Sequence, residues 1–237
     1  MRLKLLAALL LGTLAISGAN AERAATVPEP RDARWLSLAR ARGEALDRHT
    51  GKIVILGDSL AARFPREVQR DAFGESFINL GISGDRTDNL LARLPLYDLA
   101  RAQPRVVILI VGTNNLRVDD TPEEIVAGIL AAVDTVRRQT PAPLIVSEIL
   151  PRGRDLAFRA DEIAAINARL TEAAGARGFI LLHANAPIAA AAGNQGRGAI
   201  FVDTVHLTPQ GYRVLADEIR AVMPRGGANP PVDTPTP

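Results

Sequence analysis

The sequence predicts an α/β domain, with a central parallel sheet of about five strands and helices on both faces. Three observations lead there. Short apolar runs alternate along the chain with stretches of helical period. The runs are continuously apolar, the pattern of strands buried on both faces. The chain has 237 residues, 47% of them hydrophobic, enough for one such domain with a sizeable core.

The chain opens with a signal-like segment. Arg2 and Lys4 are followed by a mostly apolar run over 5–14, and Ala19, Asn20 and Ala21 fit a small-x-small cleavage site. Residues 1–21 are therefore expected to be a signal peptide, and the mature protein to be exported, periplasmic or secreted. An uncleaved anchor is the alternative. The run is too short for a comfortable membrane span, and no other segment approaches one. The chain has no cysteine, so no disulfide and no lipidated cysteine is expected. The formal charge of +2 rests on Arg2 and Lys4. Their removal takes the basic residues from 28 to 26, against 26 acids. Arginines are scattered beside acids at helical spacing, which speaks for solvated helix faces and against a nucleic-acid partner.

Residues 22–31, with Pro28 and Pro30, read as a linker, and residues 34–48 as an amphipathic helix carrying Trp35, Leu38, Ala39, Ala45 and Leu46. Linker and helix together occupy 22–51, ahead of the α/β domain over 52–223. Strands are predicted at 53–56, 77–80, 106–111, 144–149 and 179–182. Helical periods fill 89–102, 125–138 and 163–174. Thr121, Pro122 and Glu124 form a capping box with proline in the first turn. Thr208 and Pro209 repeat that device before a final helix ending near Met223. Residues 224–237 hold five prolines and read as a disordered tail. The resulting order is that of a flavodoxin-like three-layer α/β/α sandwich.

The first strand runs directly into Gly57, Asp58, Ser59 and Leu60. A serine at the C-terminal tip of a parallel strand enters the crevice above the sheet, where imidazole and carboxylate together can make it a nucleophile. The plainer reading of Gly-Asp-Ser is a turn whose serine starts a helix. There are three histidines. His49 lies at a helix end and His183 after the fifth strand, where ordinary structural roles explain them. His206 lies in the loop before the last helix, three residues after Asp203, which is close enough to accept from its ring. Asp203 could equally cap a turn, and a loop histidine is often incidental. A metal site would need further ligands, and no such cluster is visible. Gly84 and Asn114 follow the second and third strands. Each suits either a turn or the stabilisation of a carbonyl oxyanion. Arg86, Arg152 and Arg197 flank these loops without being placed by the sequence.

Four blocks occur in this order: Gly57-Asp58-Ser59-Leu60, residues 79–85, Gly112-Thr113-Asn114-Asn115, and Asp203 with His206. Together they resemble the SGNH (GDSL) hydrolase superfamily. The resemblance is nearest to the branch containing the catalytic subunits of platelet-activating-factor acetylhydrolase, through residues 81–87, 150–153 and 206–212. It implies Ser59 as nucleophile, His206 and Asp203 as the rest of a triad, and Ser59, Gly84 and Asn114 as oxyanion donors. Asp58 is read as structural. The implied activity is hydrolysis of carboxylic esters, with short acyl groups and a polar or carbohydrate alcohol, and needs no cofactor and no metal. The expected partner is a small-molecule ester. The rival readings are a lysophospholipase or thioesterase for long acyl chains, and an inactive binding module on the same fold. A nucleotide-binding protein is disfavoured, because the first loop lacks the glycine spacing of a phosphate cradle.

Overall fold

The computed structural model describes residues 25–118 and 120–224. The expected signal peptide and nearly all of the proline-rich tail lie outside the described residues. In chain order the helices are α1 (Ala33–Asp47), α2 (Ser59–Ala62), α3 (Arg66–Phe73), α4 (Thr87–Arg93), α5 (Leu99–Ala102), α6 (Pro122–Gln139), α7 (Ala160–Ala174), α8 (Asn185–Gln195), α9 (Arg197–Ile200) and α10 (Pro209–Val222). The strands are β1 (Ile53–Gly57), β2 (Ile78–Asn79), β3 (Val106–Ile110), β4 (Leu144–Ser147) and β5 (Ile180–Leu182). All pair in parallel, in the order β2-β1-β3-β4-β5. This is the α/β arrangement that the continuous apolar runs predict.

Burial explains those runs. Within β1, Val54 and Leu56 face one core and Ile53 and Ile55 face the other. The first core is closed by Leu90 of α4, Ile125, Ile129 and Val133 of α6, and Ile163, Ile166 and Leu170 of α7. The second is closed by Val68 of α3, Ile188 of α8, and Tyr212, Leu215 and Ile219 of α10. Each such side chain contributes on the order of 1.5–3 kcal/mol when fully buried. A central strand therefore leaves no position free for a polar residue.

Two local expectations are revised. The helix expected over 89–102 is broken into α4, a 3-10 turn at Leu94–Leu96, and α5. Pro95 cannot continue an α-helix, because it lacks an N–H and its ring crowds the preceding turn. Tyr97 then turns extended, and Asp98 caps α5 by accepting from the Arg101 amide at 2.9 Å. The strand expected over 77–80 pairs only at Ile78 and Asn79, since β2 is an edge strand with β1 on one side. Its continuation remains bound to β1 through Leu80 N–H to the Ile55 carbonyl at 2.8 Å and Ile82 N–H to the Gly57 carbonyl at 3.0 Å.

The segment before α1 is strapped to the loop after β2. Thr87 Oγ1 donates to the Ala25 carbonyl at 2.8 Å, and the Glu29 amide donates to the Asp88 carbonyl at 3.2 Å. Asn89 Nδ2 donates to the Glu29 carbonyl at 2.9 Å, and Arg31 to the Ser83 carbonyl at 2.9 Å. Residues 25–31 thus form a wall above the C-terminal end of the sheet.

Candidate active site

The chain passes from β1 outward to β2 and crosses back to β3. The C-terminal ends of β1 and β3 therefore flank a switch point, where a crevice opens above the sheet. Ser59 follows β1 and Asn114 follows β3. The approach to Ser59 requires glycine. Gly57 has φ 139°, and a Cβ there would lie 1.8 Å from the Ile110 carbonyl oxygen of β3. Asp58 then caps α2, its Oδ1 accepting from the Leu60 amide at 2.8 Å. The nucleophile candidate is thus the first residue of a short helix. Its amide has no acceptor within that helix.

The structure brings three of the predicted side chains together. His206 Nε2 lies 2.8 Å from Ser59 Oγ, and His206 Nδ1 lies 2.6 Å from Asp203 Oδ2. Asp203 Oδ1 also accepts from the amides of Val205 and His206, both at 2.8 Å. Burial pushes this carboxyl up. The His206 amide, the His206 ring and the Val205 amide more than offset that, and hold it at about 2. Asp203 is therefore an anion throughout the neutral range, with one oxygen shaping the turn and the other on the imidazole. That pattern holds a ring in one tautomer, with Nε2 free to take a proton from Ser59.

The remaining two predicted residues share one wall. Gly84 and Asn114 line the same cavity beside the strap. Gly84 has φ 84°, the left-handed region that favours glycine, and a Cβ there would meet Arg31 Nη1 at 3.2 Å. Asn114 Nδ2 donates to the Asp85 carbonyl at 3.0 Å, which fixes the amide plane and leaves its second N–H available. The other two histidines lie elsewhere. His49 Nδ1 is 2.9 Å from the Ala45 carbonyl, and His183 Nδ1 is 2.9 Å from Glu148 Oε1. Among the described residues no group of three or more His, Asp or Glu could hold a metal ion.

Behind this wall sits a buried charged network that the sequence reading does not anticipate. The Arg93 guanidinium is fully buried. It donates to Asp85 Oδ2 at 2.7 Å, the Leu80 carbonyl at 2.6 Å, Tyr97 Oη at 2.8 Å and the Gly57 carbonyl at 2.8 Å. Trp35 Nε1 donates to the other Asp85 oxygen at 2.8 Å. The sole tryptophan is thus a packing anchor, as expected, and also a donor. Gly57 leads into the Ser59 loop, and Leu80 leads into the Gly84 loop. Arg93 therefore ties the two loops together. On the other side, Arg152 donates to the Thr113 carbonyl and, at 3.0 Å, to Thr113 Oγ1, next to Asn114. Arg197 donates to the Asp203 carbonyl. Of the three arginines left unplaced, Arg86 and Arg152 line cavities on either side of the crevice, and Arg197 braces the Asp203 turn.

Asp58 is fully buried, and its Oδ2 has no hydrogen-bond partner. Burial pushes its carboxyl up to about 7. It is a cap rather than a second acid on the histidine, in keeping with a structural role.

A serine, a histidine and an aspartate are thus hydrogen-bonded in series at the switch point of an α/β/α sandwich. The chain belongs to the GDSL-like lipase/acylhydrolase family, whose family model matches residues 49–214. It is 37% identical over 127 residues to the platelet-activating factor acetylhydrolase IB subunit alpha1 of Homo sapiens, covering 52% of this chain and 54% of that one. The match thus spans about half the length of the curated relatives. Among solved structures it is similar to a GDSL-like lipase from Bacteroides thetaiotaomicron, with TM-score 0.63, 19% identity, and coverage of 78% and 98% of the two chains. It is also similar to an acetylxylan esterase from Geobacillus stearothermophilus, with TM-score 0.60, 18% identity, and coverage of 75% and 96%. At these identities the structural likeness is one of fold.

Proposed function

We propose that this chain is an exported serine esterase that removes short acyl groups, chiefly acetyl, from a polar or carbohydrate alcohol through an acyl-enzyme. The observation that carries the chemistry is the Ser59–His206–Asp203 chain of hydrogen bonds, at 2.8 and 2.6 Å. Ser59 Oγ attacks the ester carbonyl as its proton passes to His206 Nε2. Asp203 stabilises the imidazolium. The amides of Ser59 and Gly84 and the side chain of Asn114 receive the developing oxyanion. Collapse breaks the bond to the alcohol oxygen, which takes the proton from His206. Water, deprotonated by His206, then releases the acid and restores Ser59.

The short-acyl reading is supported by the lining of the crevice. Of the residues beside Gly84 and Asn114, only Pro30 and Val118 are apolar, whereas a long chain needs a continuous apolar groove, about 0.8 kcal/mol per buried methylene. The acetylxylan esterase among the similar folds points the same way. A second reading, a lipid-directed acylhydrolase, draws on three exposed apolar side chains around the crevice, Val118, Phe158 and Val202. Among the described residues no helix is long and apolar enough to cross a membrane. Export is proposed from the N-terminal sequence, and its test is a mature N-terminus at Glu22 by mass spectrometry of protein from the source cell.

The deciding experiment is kcat/KM on p-nitrophenyl esters from acetyl to palmitoyl. A maximum at acetyl to butyryl is expected. A rise toward palmitoyl favours the lipid-directed reading, and no turnover of any ester favours a binding module.

A further inference from the structure

The wall that carries Gly84 and Asn114 is cationic. Three guanidinium groups reach one cavity of about 400 Å³ from three separate segments: Arg31 from the strap, Arg86 from the loop after β2, and Arg117 from the turn after β3. Their counter-ions are unequally shared. Arg86 pairs with buried Asp88 and with Glu29, the latter at 2.9 Å on the exposed rim. Arg31 stands 3.5 Å from Asp85, whose charge is already taken by Arg93 at 2.7 Å. Arg117 has no acidic or carbonyl partner among the described residues. Its positive charge acts on Arg152, whose guanidinium it helps to hold below the usual arginine range after burial.

An arginine with no counter-ion among the described residues, at the wall of an open polar cavity, offers a planar fork of donors that fits a carboxylate or phosphate. Apart from Pro30 and Val118 the cavity's other walls are mostly polar, so an apolar substituent gains little there. Its position is decisive, because the two residues that face a reacting carbonyl also line it. A group bound there is part of the ester being cleaved, a short distance from its carbonyl.

We infer that the cavity between Arg31, Arg86 and Arg117 is a subsite for an anionic group, a carboxylate or phosphate, carried by the ester substrate. The inference rests on the esterase reading above and narrows it from polar esters to charged ones. Arg117, unpaired among the described residues, supplies the main charge and Arg31 assists. Arg86, held by Asp88 and Glu29, shapes the wall.

Matched esters test it. 4-Acetoxybenzoate is compared with its neutral methyl ester, and 4-acetoxyphenyl phosphate with its dimethyl ester, each corrected for its rate with hydroxide. The same comparison with the charge on the acyl half uses the mono-p-nitrophenyl ester of glutaric acid against p-nitrophenyl hexanoate. In at least one half, kcat/KM should favour the anion by about tenfold, the scale of one charge-assisted contact. Arg117→Glu should abolish or reverse that ratio, and added salt should weaken it. Arg220→Glu, on the exposed face of α10, should leave the ratio as it is. No anionic preference in either half, or a preference that survives Arg117→Glu, would overturn the subsite. Calorimetric titration of 4-acetoxybenzoate into the Ser59→Ala protein reads the same subsite without turnover. Tighter binding than for the methyl ester, lost in Ser59→Ala/Arg117→Glu, supports it; equal binding both for this pair and for monomethyl glutarate against dimethyl glutarate refutes it. An enzyme that cleaves no ester refutes the esterase reading, while the titration still decides the subsite.

Discussion

The two sides of the crevice are built in opposite ways. The side bearing Ser59, Gly84 and Asn114 is anchored from beneath by charges in the core. Arg93, Asp85 and Trp35 meet from α4, the loop after β2 and α1, and the hydrogen bonds of Arg93 end on the backbone that leads into the Ser59 and Gly84 loops. The side bearing Asp203 and His206 is held locally and near the surface. The Asp203 side chain is 49% exposed, and its contacts are to its own turn. A single antiparallel bridge between Phe201 and Leu207 and the Gly153 amide on the Thr204 carbonyl at 2.8 Å brace that turn. Buried charges fix loops distant in sequence at the risk of a large loss if one partner goes. A local turn fixes one ring with little consequence for the rest of the fold. Stability and activity should therefore separate by side.

The largest effect joins the two sides. Ser59→Ala and His206→Ala should each lower kcat by about 10⁴-fold or more, and the double variant should be scarcely worse, because residues acting as one unit are not additive. Independent multiplicative losses in steady-state kinetics would dissolve the link between the sides. Next, Asp203→Asn should cost about 10⁴-fold in kcat through the wrong histidine tautomer. Its urea midpoint should stay close to that of the parent, since Asn still accepts from the Val205 and His206 amides.

The opposite side should behave in reverse. Arg93→Met leaves Asp85 buried without its main partner, and should lower stability by about 3–5 kcal/mol in urea titration. Arg93→Lys, keeping the charge but not the fork of donors, should fall between. If Arg93→Met unfolded like the parent, the buried network would not be the anchor described above. Asn114→Ala should lower kcat by about 100- to 1000-fold with KM little changed. A raised KM with kcat intact would make Asn114 a ground-state binding residue.

The smallest effect concerns pH. Asp58 keeps its proton in the folded protein up to about 7, while in the unfolded chain it ionises near its ordinary value of about 4. The folded pKa is the higher one. Its contribution to stability is thus complete below pH 4 and is lost as pH rises through about 7. Thermal scans between pH 5 and 8 should show a falling Tm in the parent and a flatter profile in Asp58→Asn.

The same contrast explains what was legible in the sequence. Ser59, Asp203 and His206 were singled out by the resemblance of their blocks; from residue pattern alone turn and cap roles stayed open, because only Asp203 and His206 are near in sequence, while Ser59 and His206 meet across 147 residues. The alternating layers could be read because β1 and β3 bury both faces. Arg93 could not. On a helix bearing other charges an arginine reads as part of a solvated face, and its backbone partners Gly57 and Leu80 are 36 and 13 residues away. Pro95 carried a signal for the break between α4 and α5 that the apolar period concealed. The helix α8 lacked the clear apolar period that marks α6 and α7, and α3, though amphipathic, is only 8 residues long, shorter than the window in which a helical period stands out. Pro65 before α3 and Gly74 after it were the available boundary signals. The role of residues 25–31 was hidden for a different reason. A strap bound through backbone carbonyls leaves little trace in side-chain pattern.

The central claim is that the turn-held histidine activates the core-anchored serine. A fluorophosphonate that reacts only with activated serines tests this most directly, with the modified residue located by peptide mass spectrometry. One phosphonyl group per chain, on Ser59, is expected, with hydrolysis lost in step and labelling abolished in His206→Ala. Labelling of another serine, or of Ser59 at an undiminished rate without His206, would contradict it.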